Sequence, residues 1–194
     1  MKRHLSPSLT LIPFLLFPPL QSQAANRFFA GVDTAFSLSY SNPPVDDTFT
    51  VTSETKRLFG ARSYVGYQIT PKFNIELGLT HRTNYKQTAV NQFASYDANA
   101  KIVNKDVMLS YFPTEQLAGL YLLTGMAWTK QQIRADATIF GIKRNADSNV
   151  NFRHYILGLG YEGTITDNVH WRVMYARYGK EKLTVFGLKY LFGG

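Results

Sequence analysis

No cysteine occurs among the 194 residues, which excludes disulfide staples, thiol nucleophiles, thiolate-held zinc and iron–sulfur clusters. Charged residues reach only 18% beside 14% aromatics, a balance that does not fit a disordered chain. No apolar run attains the ~18 residues of a membrane-crossing helix. Histidines number four, none clustered at ligand spacing, and Asp46-Asp47 is a lone acidic pair, so neither a metal nor any other cofactor is implied. No basic helix is present for nucleic acid to dock on. The chain does carry 12 Tyr and 14 Phe beside 14 Gly, a mixture unlike that of a helical enzyme.

Residues 1–24 read as a cleaved secretory signal peptide. Lys2, Arg3 and His4 form a basic start, Leu9 to Leu20 is an apolar stretch broken by three prolines, and Ser22-Gln23-Ala24 supplies the small residues of a cleavage site. Two basic residues leave with it, which takes the net charge from +8 to +6. The predicted remainder, residues 25–194, is one domain.

Within that domain a period of two recurs, the signature of strands with unlike faces. Phe73, Ile75, Leu77 and Leu79 alternate with Asn74, Glu76, Gly78 and Thr80. Further strands fit near 28–40, 58–69, 102–111, 120–132, 152–161, 169–178 and 183–192. In a soluble sandwich the polar face meets water and favours Lys, Glu and Thr. Here it holds glycines (Gly66, Gly78, Gly158, Gly160, Gly187) and isolated charges, which suit the inside of a narrow barrel. The apolar face, with aromatics such as Tyr40, Tyr111, Trp128, Trp171, Tyr190 and Phe192, suits lipid and its interfaces. The pattern predicts an all-β fold, an eight-stranded antiparallel up-and-down transmembrane β-barrel. Connections 70–72, 112–119 and 162–168 are short, whereas 41–57, 83–101 and 133–151 are long and polar. That alternation places long loops outside the cell and both termini in the periplasm.

Gly66-Tyr67-Gln68, Glu76-Leu77-Gly78, Leu109-Ser110-Tyr111, Gly125-Met126-Ala127-Trp128, Trp171-Arg172-Val173-Met174-Tyr175 and Gly187 to Gly193 resemble, in order and spacing, strands of the OmpA-type transmembrane domain. The resemblance covers nearly all of residues 27–194. It implies an integral outer-membrane barrel of a Gram-negative bacterium, folded by periplasmic chaperones and the barrel-assembly machinery, which reads a C-terminal strand like the one ending in Phe192. The family's peptidoglycan-binding domain has no counterpart in these residues.

The inward parity collects Asp33, Arg62, Glu76, Arg82, Asp106, Glu162, Arg172 and Lys189, expected to pair in a lumen network because an unpaired ion there is costly. In the resembling family a Glu–Arg bridge plugs the lumen and a lysine exchanges partners to open it. Glu76 and Arg172 match the bridge and Glu162 a further acid, while Met108 stands where the lysine is expected. Lys189 and Arg62 are the candidate substitutes. Static plug and narrow gated or leaky porin are both open on this reading. A lipid A-modifying enzyme is a third reading, but no serine sits two residues after His81, His154 or His170, the histidines beyond the signal segment, as the deacylase motif would want, and no amphipathic helix precedes the first strand. His81 reads as an interfacial residue rather than a catalytic one, so no enzyme activity is expected. Lys56, Arg57, Lys86, Arg134, Lys143 and Arg144 lie in the predicted outer loops and are candidate contacts to lipopolysaccharide phosphates. The loops themselves are candidate sites for a host or surface ligand. The expected role is structural, supporting membrane integrity, with adhesion through those loops.

Overall fold

The computed structural model describes residues 27–39, 48–55, 57–113 and 118–192; residues 1–24, expected from sequence to be a signal peptide, lie outside them. Ten strands form in chain order: β1 (Phe28–Ser39), β2 (Thr50–Glu54), β3 (Phe59–Thr70), β4 (Phe73–Arg82), β5 (Tyr85–Val90), β6 (Ala94–Tyr111), β7 (Leu120–Ile139), β8 (Ile142–Thr166), β9 (Val169–Tyr178) and β10 (Glu181–Leu191). All pairings are antiparallel. Eight strands close a ring in the order β1-β3-β4-β6-β7-β8-β9-β10, with β10 pairing back onto β1. Closure removes the free edges that an open sheet would expose.

Alternation sorts the side chains as the period of two requires. Phe28, Val32, Val65, Leu77, Leu122, Leu157, Phe186 and Leu188 point outward and are exposed, whereas Phe29, Asp33, Arg62, Tyr64, Glu76, Met108, Tyr121 and Arg172 point inward and are buried. An outside so apolar and an inside so polar is the reverse of a soluble domain, and it matches a lipid solvent.

The main departure from the sequence reading is the length of β6, β7 and β8, which contain 18, 20 and 25 residues. The segments 83–101 and 133–151, expected as long loops, are largely strand. Residues 133–139 and 142–151 continue β7 and β8 as a hairpin closed by Phe140 and Gly141 alone, both at positive φ (48° and 81°). Such a two-residue loop matches the twist of its strands. Within 83–101, β5 pairs with the start of β6. From 41–57, β2 joins β5. A five-stranded ribbon, β2-β5-β6-β7-β8, thus projects beyond the rim opposite the chain ends. The β8 part of the ribbon is exposed almost throughout, whereas β5 and the start of β6 bury Tyr85, Gln87, Ala89, Ala98 and Ala100 on one face. A covered face made largely of alanine and polar side chains leaves little apolar alternation to mark strands.

Candidate functional site

Asp33, Arg62, Glu76, Asp106 and Arg172 meet in the middle of the lumen, each at most 3% exposed. Arg62 donates to Asp33 at 3.0 Å, to Glu76 at 3.3 Å and to Asp106 at 2.6 Å. Arg172 donates to Asp33 at 2.7 Å and to Glu76 at 2.6 Å. Two guanidiniums therefore share three carboxylates. Tyr64 lies beneath them, its ring centre 3.8 Å from the Arg172 guanidinium carbon and 4.9 Å from that of Arg62, a cation–π geometry that desolvation strengthens.

Local register explains why these side chains reach one another. Along one line of backbone partners stand Arg172, Gly187, Asp33 and Arg62. Along another stand Asp106, Gly78, Tyr64, Gly31 and Lys189. Along the second line small residues alternate with large ones, and in the first Gly187 makes room for Arg172 to reach Asp33, so the narrow lumen fills without clashes. A Cβ on Gly78 would fall on the Arg62 guanidinium, and one on Gly31 on the Tyr64 ring.

Of the eight residues expected to pair in the lumen, Asp33, Arg62, Glu76, Asp106 and Arg172 belong to this cluster. Glu162 and Lys189 do not. They pair with each other nearer the chain ends, where His170 also contacts Glu162 at 3.1 Å. Lys189 sits 5.0 Å from the Phe29 ring centre. At the other rim Arg82 pairs with Glu181. Met108 faces Tyr178, whose hydroxyl donates to its sulfur at 3.8 Å, within an apolar layer that includes Leu123, Ile156, Met174 and Val185. Tyr64, Glu181 and His170 are functional partners that the sequence alone does not single out. Tyr64 and His170 share inward parity with their partners, and that was the available signal.

The candidate lipopolysaccharide contacts are scattered, with Lys86, Arg134, Lys143 and Arg144 on the ribbon. Arg57 and Lys86 are exposed, and Lys56 lies outside the described residues. Arg134 faces Asp147 at 3.7 Å, both largely in solvent. Lys143 and Arg144 stand just after the hairpin turn.

A closed ring of eight antiparallel strands with a lipid-like exterior and an ion-filled interior is an outer-membrane architecture, and the family described as outer membrane protein beta-barrel domain matches residues 9–189. The chain belongs to that family. It is an OmpA-like outer-membrane β-barrel. Among solved structures, OprG from Pseudomonas aeruginosa aligns with a TM-score of 0.55 at 12% identity, over 90% of this chain and 99% of that one. Neisserial surface protein A aligns with a TM-score of 0.44 at 13% identity, over 84% and 96%. The attachment invasion locus protein Ail of Yersinia pestis gives 0.42 at 13% identity, over 86% and 97%. These likenesses concern the fold. No curated protein matches the sequence.

Proposed function

We propose that this outer-membrane barrel is a structural and surface-displaying protein whose lumen is a static ionic plug. The observation that carries this reading is the central cluster, in which every carboxylate already has an arginine and every arginine at least two carboxylates. Ion pairs this dry are costly to separate, since each partner would be left charged in a low-dielectric interior. The gate of the resembling domain needs a lysine free to take over the bridging acid. Here Met108 holds that position, and among the described residues no ion pair joins Lys189 to Glu76. Residues 1–24 act as the export signal on this reading, the termini face the periplasm, and the ribbon stands outside the cell.

Planar-bilayer recordings of the purified protein test the plug. Wild type is expected to be silent, and Glu76→Ala, which leaves Arg172 short of a partner, to leak. Regular openings in wild type would replace the plug with the porin reading. The enzyme reading is tested by mass spectra of lipid A from cells with and without the protein, for which an unchanged acyl pattern is expected.

A second role, recognition of a surface ligand, is favoured by the ribbon. Its tip exposes Phe93 and Phe140, with ring centres 5.3 Å apart, together with Ile139 and Ile142. Cell-attachment assays with the ribbon shortened between residues 131 and 150 test it, and attachment should fall while the barrel still folds.

A further inference from the structure

On the outer wall, immediately beyond the apolar band, strands β6, β7 and β8 enclose a groove of about 700 Å³. Lys105, Trp128 and Arg153 occupy one line of backbone partners, Lys130 the next, and Lys101 with Gln132 the one after. One step the other way, Val107, Met126 and Tyr155 continue the lipid-facing surface. Four cations therefore line a groove that contains no acidic residue. Acids on this wall begin farther out, with Asp147 beside Arg134 and with Asp97 opposite Asp136.

The buried cations of the lumen, Arg62, Arg82, Arg172 and Lys189, have carboxylates, whereas the four groove cations are exposed on the outer wall. Among the described residues none of Lys101, Lys105, Lys130 and Arg153 has an ion-pair partner. Trp128 marks the boundary between hydrocarbon and headgroups, where an indole places its ring in one and its N–H toward the other. Strands lie about 4.8 Å apart, so Lys105 and Arg153, two strands apart, flank a headgroup-sized gap over Trp128. By contrast, Arg134 is six residues beyond Trp128 along β7, roughly 20 Å at strand rise.

From these juxtapositions we infer that the groove binds the phosphorylated sugar headgroup of lipid A from the outer leaflet. Lys105 and Arg153 hold one phosphate beside Trp128, Lys130 and Lys101 reach a second phosphate or an inner sugar acid, and the acyl chains lie on Val107, Met126 and Tyr155. Cations facing phosphates form charge-assisted hydrogen bonds, and the apolar surface directly below favours a lipid over a free anion. The inference deepens the lipopolysaccharide contact expected from sequence and rests on the ribbon standing outside the cell.

Native mass spectrometry of the folded protein in detergent, titrated with bisphosphorylated lipid A, tests it. Wild type should bind one molecule. The double variant Lys105→Gln/Arg153→Gln should bind at least tenfold more weakly, and dephosphorylated lipid A should bind wild type as poorly. Lys72→Gln/Lys180→Gln, which removes equal charge elsewhere, should bind like wild type. Undiminished binding by the groove variant, or equal binding of dephosphorylated lipid, overturns the inference. Loss on changing Lys86, Arg134, Lys143 and Arg144 instead also overturns it, while keeping the broader lipopolysaccharide reading. The dephosphorylated arm uses wild type, so it decides even where a variant fails to fold. Orientation is tested separately, by labelling intact cells that carry Gly141→Cys with a membrane-impermeant maleimide.

Discussion

Arg172 on β9 grips Asp33 on β1 through two hydrogen bonds, at 3.0 and 2.7 Å, reaching over Gly187 of the intervening strand. The contact ties the first strand to the penultimate one across the seam where the barrel closes. Asp33 also receives Arg62 from the other side, so one carboxylate joins two guanidiniums. Replacing it with Ala should destabilise the folded barrel by about 3–5 kcal/mol, because three charge-assisted hydrogen bonds are lost in the buried lumen and Arg172 keeps Glu76 as its one carboxylate. Urea unfolding in micelles, followed by heat-modifiable gel mobility, measures this. Asp33→Glu should retain more stability than Asp33→Ala.

Gly78 tests the packing rather than the charge. Its missing Cβ leaves the space taken by the Arg62 guanidinium and by an Asp106 oxygen. Gly78→Ala should therefore cost about 1–3 kcal/mol, the range for overpacking a filled interior, and should lower the temperature at which the folded band disappears. Alanine usually suits a strand better than glycine, so a stabilised variant would count against the packing described for the lumen.

The hairpin turn carries an opposite expectation. Phe140 holds φ at 48° and is 75% exposed, so its ring contributes little burial while its backbone is strained. Asn tolerates this conformation and, followed by glycine, favours a two-residue turn. Phe140→Asn should stabilise the tip by about 1 kcal/mol, seen as slower hydrogen exchange in residues 136–145. The same change should weaken any attachment that depends on the Phe93–Phe140 pair.

Only two tryptophans are present, and they lie toward opposite ends of the barrel wall. Trp128 stands where β7 leaves the apolar band, and Trp171 is near the start of β9, packed on Tyr161 with ring centres 5.5 Å apart. Each single-tryptophan variant, Trp128→Phe or Trp171→Phe, should be quenched more by lipids brominated near the glycerol than by lipids brominated near the chain ends. Stronger quenching by the deep bromines for either one would place that ring in the hydrocarbon interior, against the interfacial assignment.

The sequence by itself determined the faces. An alternation of period two assigns each residue to lumen or lipid with no knowledge of neighbours, and Asp33, Arg62, Glu76, Asp106 and Arg172 were all legible as inward. It also carried the family, because glycine–aromatic spacing records where a narrow lumen must make room. Tertiary structure alone decided the partners. Whether Arg172 meets Glu76 or Glu162 depends on register and stagger around a closed ring, and these set distances that no single strand encodes. The same holds for the ribbon: residues 142–151 are exposed almost throughout, and the covered face of 94–101 and 131–139 is made of small or polar residues such as Ala98, Ala100 and Gln131, so strand character there comes from pairing and leaves little mark in hydrophobic pattern. The cationic groove was hidden for that reason, since Lys105, Lys130 and Arg153 are far apart in the chain and become neighbours only once β6, β7 and β8 are in register.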